Sequence, residues 1–208
     1  MDMSFPVKIV FYRGLCWIGY TMHSGPSTGY WRTVHLISQE DSRMLHPREV
    51  VVLVIDIQEK LAPHIAGIGG LIARTGTLIA CARVLQVPLL LTEQYPEGLG
   101  PTVKALAGPL NGIPAIAKRT FGSCGEPAFL KALEATGRRH VLVAGIETHV
   151  CVFQTVAGLL ERGYRAQVLA DAVSSRTEAD KAIGLERIRA AGGAVSSVES
   201  TVFELLGT

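Results

Sequence analysis

Residues 141–153 read Val-Leu-Val-Ala-Gly-Ile-Glu-Thr-His-Val-Cys-Val-Phe: a short apolar run rich in β-branched residues, then Gly145, then apolar positions at roughly helical spacing. Such a stretch predicts a buried parallel strand, ended by a glycine turn, that hands over directly to a helix. Shorter versions of the strand recur at 49–56, at 87–91 with Pro88 at its start, at 113–118, at 164–170 ending in Asp171, and at 194–196. Between them, 65–86 carries Leu71, Ile72, Leu78, Ile79 and Ala82 at spacings of three, four and seven, the pattern of an amphipathic helix packed on a sheet. Further helices are predicted at 126–136, closed by Gly137, from Cys151 to near Gly163, from a capping box at Thr177 and Asp180 to about residue 191, and at 198–206. Strands and helices that alternate with short connections predict an α/β fold, a parallel sheet covered on both faces.

Cys151 stands at the start of its helix, where the first-turn N–H groups and the helix dipole favour a thiolate. A cysteine in an apolar stretch is ordinarily a small core residue. Two distant residues change that reading. Asp56 closes the 49–56 strand and Lys118 closes the 113–118 strand, so an acid, a cation and a thiol each lie at or just beyond the carboxyl end of a predicted parallel strand. Open α/β sheets build their sites there. Taken singly, Asp56 could cap the following helix and Lys118 could be an ordinary strand-end cation reaching water.

Taken together, the three support acyl transfer. A thiol near its free pKa of about 8.5 is mostly protonated at neutral pH. Lys118 would stabilise the thiolate, and Asp56 would accept its proton and return one to the leaving group. Cys151 attacks a carbonyl carbon, the leaving group departs, and water hydrolyses the thioester. The proline- and glycine-rich loop 92–101 follows a strand at the same edge and is expected to wall the pocket, with Glu93, Gln94 and Tyr95 reading substrate and Gln58 and Thr148 completing the substrate-binding set. Asp171 is expected to tie down the loop at Ser174 and Ser175. His149 is not taken as the base, because neighbouring positions in a helical turn point in different directions. His64 and His140 are read as surface residues, and Cys81 and Cys124 as inert.

Three features occur in a fixed order: Asp56-x-Gln58 at a strand end, Lys118 after an apolar strand, and Gly145-Ile-Glu-Thr-His-Val-Cys151. In that order they resemble the isochorismatase-like cysteine hydrolase superfamily. The segment Thr92-Glu-Gln-Tyr-Pro-Glu-Gly-Leu-Gly-Pro-Thr-Val103 is similar to that of the isochorismatase-domain-containing proteins within it. The resemblance spans residues 47–206. It implies a three-layer α/β/α, Rossmann-like fold with a roughly six-stranded parallel sheet, and a Cys151–Asp56–Lys118 triad. It also implies an oxyanion hole formed by the backbone N–H groups of Glu147 and Cys151 beside a cis Ile146–Glu147 peptide, and a homo-oligomer. Nicotinamidase-like members carry an Asp-x-His metal site where this chain has Thr92-Glu-Gln-Tyr95, without a histidine. Members that cleave the vinyl ether of isochorismate lack the cysteine. The resemblance therefore points to an amide-type carbon–nitrogen bond in a small molecule. The group usually continues with another helical segment where this sequence stops at Thr208, which leaves C-terminal packing open.

Composition narrows the alternatives. With a formal net charge of +2 and scattered Lys and Arg among 208 residues, no basic run interleaved with aromatics suggests a nucleic-acid surface. No apolar stretch approaches the about 18 residues a membrane span needs. The histidines and cysteines show no metal-ligand spacing, so neither metal nor cofactor is expected. The four cysteines lack the spacing of a disulfide scaffold and read as reduced, which favours a cytoplasmic location. The alternative is mitochondrial, since acidic residues are scarce before Glu40. Residues 1–46 hold seven of the thirteen aromatics without a clean period. They are expected to be a poorly structured extension, or upstream sequence read into the chain by a misplaced start, ahead of a hydrolase domain at 47–208. A nucleotide-binding oxidoreductase would need Gly-x-Gly-x-x-Gly after its first strand, where Asp56-Ile-Gln stands. A non-catalytic scaffold retaining the fold is the competing function.

Overall fold

The computed structural model describes residues 7–12, 15–20 and 44–207. The chain divides into two units, Met1–Met44 and Leu45–Thr208. In the first, β1 (Val7–Tyr12) and β2 (Leu15–Tyr20) pair antiparallel from Val7↔Tyr20 to Tyr12↔Leu15. These strands fall within the leader expected to be poorly structured, and the rest of that expectation lies outside the described residues.

The second unit holds a six-stranded, wholly parallel sheet of β3 (Val50–Ile55), β4 (Leu89–Gln94), β5 (Ala115–Lys118), β6 (His140–Ile146), β7 (Arg165–Ser174) and β8 (Ala194–Ser196). Their spatial order is β5-β4-β3-β6-β7-β8. The helices are α1 (Ile68–Val84), α2 (Pro96–Leu99), α3 (Lys104–Ala107), α4 (Pro127–Ala135), α5 (Phe153–Glu161), α6 (Glu178–Ala190) and α7 (Val198–Leu206). Strand β3 shows why the layers form. All six of its residues are buried, and successive side chains alternate between faces. Val50, Val52 and Val54 join a core with Leu78 and Ile79 of α1 and Leu205 of α7. Val51, Leu53 and Ile55 join a second core with Phe129 of α4, Val156 of α5 and Ile188 of α6. Each fully buried Val, Leu or Ile contributes roughly 1.5–3 kcal/mol, so a strand apolar on both faces is stable only between two helical layers.

The chain winds outward from β3 through β4 to β5, then crosses back to lay β6 on the other side of β3. The carboxyl ends of β3 and β6 are therefore the point where strand order reverses, the usual seat of a site in such sheets. Among the described residues no helix is long and apolar enough to cross a membrane, and no group of three or more His, Cys, Asp or Glu could hold a metal ion.

Several elements differ from their predicted extents. Helix α1 starts at Ile68 rather than 65, because a 3-10 turn at Ala62–His64 precedes it and Gly67 adopts a left-handed φ of 64°. Strand β4 runs on to Gln94 and β7 to Ser174, the latter through a register shift against β6 between Val143 and Gly145. That irregularity carries Asp171 away from the strand end assigned to it. Its Oδ1 accepts from Val198 N at 2.8 Å, capping α7, and its Oδ2 lies 3.6 Å from Arg74 Nε. Asp171 is a structural residue, as expected, but it ties down α7 rather than the loop at Ser174. Thr177 caps α6 as predicted, accepting from Asp180 N at 3.0 Å, while its hydroxyl donates to Asp180 Oδ2 at 2.7 Å.

Gly145 sits opposite Ile55 at the switch point with φ 138°, and a Cβ there would lie 2.2 Å from the Ile55 carbonyl oxygen. Gly145→Ala must therefore part β3 from β6 and should destabilise the protein by about 3 kcal/mol. Gly137→Ala, at φ 65° but in open space, should lose only about 1 kcal/mol. Urea denaturation checks both, and equal losses would contradict this account of the strand contact.

Candidate active site

Asp56 is the first residue beyond β3 and takes a left-handed φ of 54°. Its N–H donates to Thr92 O at 3.1 Å, which fastens it to the end of β4. The carboxylate is completely buried. Oδ1 accepts from the Thr92 hydroxyl at 2.8 Å, and Oδ2 lies 2.6 Å from Lys118 Nζ, whose side chain is equally buried. Lys118 comes from β5, two strands away, so its side chain crosses the end of β4 to reach the acid. Its ammonium also donates to Gln94 Oε1 at 2.7 Å, Phe121 O at 2.9 Å and Thr120 O at 3.2 Å.

Beyond β6 the Ile146–Glu147 peptide is cis, and residues Thr148–Val152 form one π-helical turn before α5 begins. Glu147 O accepts from both Val150 N and Val152 N at 3.1 Å. Cys151 lies in this turn, 8% exposed. Its carbonyl accepts from Thr155 Oγ1 at 2.6 Å, and the same hydroxyl accepts from Ser123 N at 2.9 Å, fixing the turn to the loop after Lys118. Helix α6 reaches the turn through Gly184, where a Cβ would stand 2.8 Å from both His149 N and the Thr148 carbonyl carbon.

The electrostatics correct one expectation. The helix start was expected to favour the thiolate, yet burial, and after it the Asp56 carboxylate, push the Cys151 thiol up to about 12. Lys118 and the Glu147 backbone pull the other way without prevailing. Burial also raises the Asp56 pKa, against the opposing effects of Lys118, Thr92 and Cys151. Desolvation penalises charge on either group, so burial favours the thiol form of Cys151 and raises the basicity of its neighbour Asp56. Cys124, one face of α5 away, is also pushed up by burial, to about 11.

Asp56, Lys118 and Cys151 thus meet, with Glu147 beside them. The other predicted site residues divide. Gln58 spends its side chain on main chain, donating to Gln94 O at 2.9 Å and Gly100 O at 2.7 Å and accepting from Gln94 N at 2.8 Å. Glu93 turns to Thr102, accepting from its N–H at 2.6 Å and hydroxyl at 2.7 Å. Gln94 binds Lys118 and donates to Arg119 O at 3.1 Å. These three brace the wall loop. Tyr95 is 43% exposed, with the Arg119 guanidinium 4.4 Å from its ring centroid. Thr148 is completely buried, and its Oγ1 has no hydrogen-bond partner among the described residues. His149 is engaged by the Ser175 hydroxyl at 3.0 Å. Arg176 had gone unnoticed in the sequence: its Nε and backbone N–H both donate to Glu147 Oε2, at 3.0 and 3.2 Å. Thr92 was missed as well, although it directly follows an apolar strand beside Asp56's own, the one signal that could have found it.

Comparison with known proteins bears on the same region. A family model described as the isochorismatase domain matches residues 50–200. Isochorismatase domain-containing protein 2A of Mus musculus is 38% identical over 161 residues, 77% of this chain and 76% of that protein. Among solved structures, the MAR1 ribonuclease from Caenorhabditis elegans has a TM-score of 0.76 at 38% identity, covering 80% of this chain and 85% of its own. YcaC from Pseudomonas aeruginosa, solved with hexane-2,5-diol and covalent acrylamide, gives 0.77 at 26%, with 80% and 85% covered. YcaC from Escherichia coli, described as an octameric hydrolase of unknown specificity, gives 0.76 at 25%, with 79% and 83% covered. A family match over most of the parallel sheet, joined to close likeness in sequence and in fold, means that the chain belongs to the isochorismatase family of hydrolases.

Proposed function

We propose that the protein is a cysteine hydrolase that cleaves an amide-type carbon–nitrogen bond of a small molecule through a thioester on Cys151. The observation that carries this reading is the convergence of a completely buried acid and ammonium, 2.6 Å apart, on a thiol delivered by a third strand end. Asp56 takes the thiol proton as sulfur attacks the carbonyl carbon. It then protonates the departing nitrogen, and Lys118 offsets the charge that would otherwise build up in a buried site. The N–H groups of Glu147 and Cys151 receive the oxyanion. Water attacks the thioester and regenerates the thiol. Tyr95 and Thr148 face the substrate, with Gln58, Glu93 and Gln94 behind them. Support also comes from the covalent acrylamide in YcaC, since acrylamide is an electrophile that thiols take up. The octameric state of its Escherichia coli counterpart supports a homo-oligomer. The free Cys81, Cys124 and Cys151 support a reducing, cytoplasmic setting.

Acid quench of the protein during turnover of a panel of small primary amides should leave an acyl mass increment on the Cys151 peptide, absent in Cys151→Ala. Release of product from RNA rather than from any amide, undiminished in Cys151→Ala, would contradict the reading. Binding of amides without turnover would favour the scaffold alternative.

Asp56→Asn separates ionisation from catalysis. Both effects by which Asp56 raises the thiol vanish, while that of Lys118 remains, so the Cys151 alkylation profile should move to lower pH. Amide hydrolysis should nevertheless fall by about 100- to 10,000-fold, because no acid is left for the leaving group. Iodoacetamide labelling followed by peptide mass spectrometry, beside the turnover assay, checks both halves.

Lys118→Met leaves the carboxylate buried without a counter-charge and should destabilise the protein by about 3–5 kcal/mol at neutral pH. The folded-state pKa of Asp56 is already raised, and without Lys118 it rises further. The native state then holds the proton more tightly than the unfolded chain does. Stability lost to the substitution is therefore regained as pH falls towards the unfolded carboxyl range and is greatest above the raised folded value. Urea denaturation at acid and neutral pH reads this, and the double variant with Asp56→Leu should recover most of the loss.

A further inference from the structure

What holds the Lys118 ammonium against an acid two strands away is in part an amide. An ammonium has three protons to donate. Its three nearest acceptors are Asp56 Oδ2 at 2.6 Å, Gln94 Oε1 at 2.7 Å and Phe121 O at 2.9 Å. Gln94 is itself immobilised from several directions. Its Nε2 donates to Arg119 O, its backbone N–H and carbonyl are clasped by Gln58, and Lys118 is its register partner across β4 and β5. A neutral acceptor at this position gives the ammonium a third ligand without adding a negative charge to compete with Asp56 for it.

Resting on the reading of Asp56, Lys118 and Cys151 as the reacting set, we propose that Gln94 is a positioning residue whose neutral amide fixes the Lys118 ammonium against Asp56 and so governs how readily the carboxylate takes the Cys151 proton. The groups that bear on the thiol are Asp56 beyond β3 and Lys118 from β5, with the Glu147 backbone in the nucleophile turn. On the Asp56 carboxylate they are Lys118, Thr92 and Cys151. The neighbouring charges on the wall are engaged elsewhere: Glu93 with Thr102, and Arg119 over Tyr95 and 3.7 Å from Glu97. A carboxylate at position 94 would share the ammonium with Asp56 and oppose ionisation of both neighbours. An apolar side chain would remove the nearest neutral acceptor and leave the ammonium to Phe121 O at 2.9 Å and the more distant Thr120 O at 3.2 Å.

The test uses the full chain with Gln94→Glu and Gln94→Met, following iodoacetamide labelling of Cys151 against pH, with Cys81 and Cys124 as internal references. Both variants are expected to displace the Cys151 profile to higher pH by about half a unit or more, slowing labelling about threefold below the midpoint, with the references unmoved. A residue that served only the packing would act in the opposite sense, since a loosened site exposes the thiol and speeds its labelling. Gln94→Glu is isosteric and keeps the measurement open if the Met variant does not fold. An unchanged or faster Cys151 profile in Gln94→Glu overturns the inference alone. A parent profile indifferent to Asp56→Asn overturns the reading of the reacting set, and the inference with it.

Discussion

The buried ion pair between Asp56 and Lys118 is the interaction on which the rest of the site depends. Removing two charges from water costs several kcal/mol per ion, and their attraction repays this only when the remaining lone pairs and protons are satisfied. Here they are. Thr92 donates to the second carboxylate oxygen, and Gln94, Phe121 and Thr120 take what the ammonium has left. Every one of these partners lies at the carboxyl end of β4 or just beyond β5. The wall loop, its brace through Gln58 and the polar loop after Lys118 can therefore be understood as the shell that makes a dry ion pair tolerable.

That shell also determines the form of the nucleophile. A cysteine at a helix start near a lysine suggests a thiolate, but the lysine's charge is already matched by Asp56, and the site is too dry to support a further anion. Sulfur is left as a thiol beside a carboxyl group whose own basicity burial has raised. On the proposed reading, such a pair would ionise only as a substrate carbonyl arrives, with Asp56 holding the proton that the leaving group needs. In that proposal proton acceptor and proton donor are one residue, held in place by a cation that need not move.

Much of this was legible in the chain. The β-branched runs, the helical periodicities and the Thr177 cap placed the elements of the second unit closely, and Asp56, Lys118 and Cys151 could be singled out because each ends a strand or opens the helix after one. The illegible parts share a physical cause, namely contacts between residues distant in sequence. Nothing near Gln58 indicates that its amide is used up by Gln94 and Gly100, and nothing near Glu93 indicates Thr102. Polar side chains on a wall loop look alike whether they face a ligand or the loop's own backbone. Asp171 was misplaced for a different reason. The register shift within β7 leaves no mark in its composition, and only the paired strand shows where it falls.

The central proposal is that Cys151 rests as a thiol beside Asp56 rather than as a preformed thiolate. The infrared S–H stretch of Cys151, isolated as the difference between the parent protein and Cys151→Ser, tests it most directly. A band present at neutral pH, persisting well above the ordinary cysteine pKa of about 8.5 and altered in frequency by Asp56→Asn, is the predicted result. Absence of the band at neutral pH would mean that sulfur is already ionised, and would contradict the account.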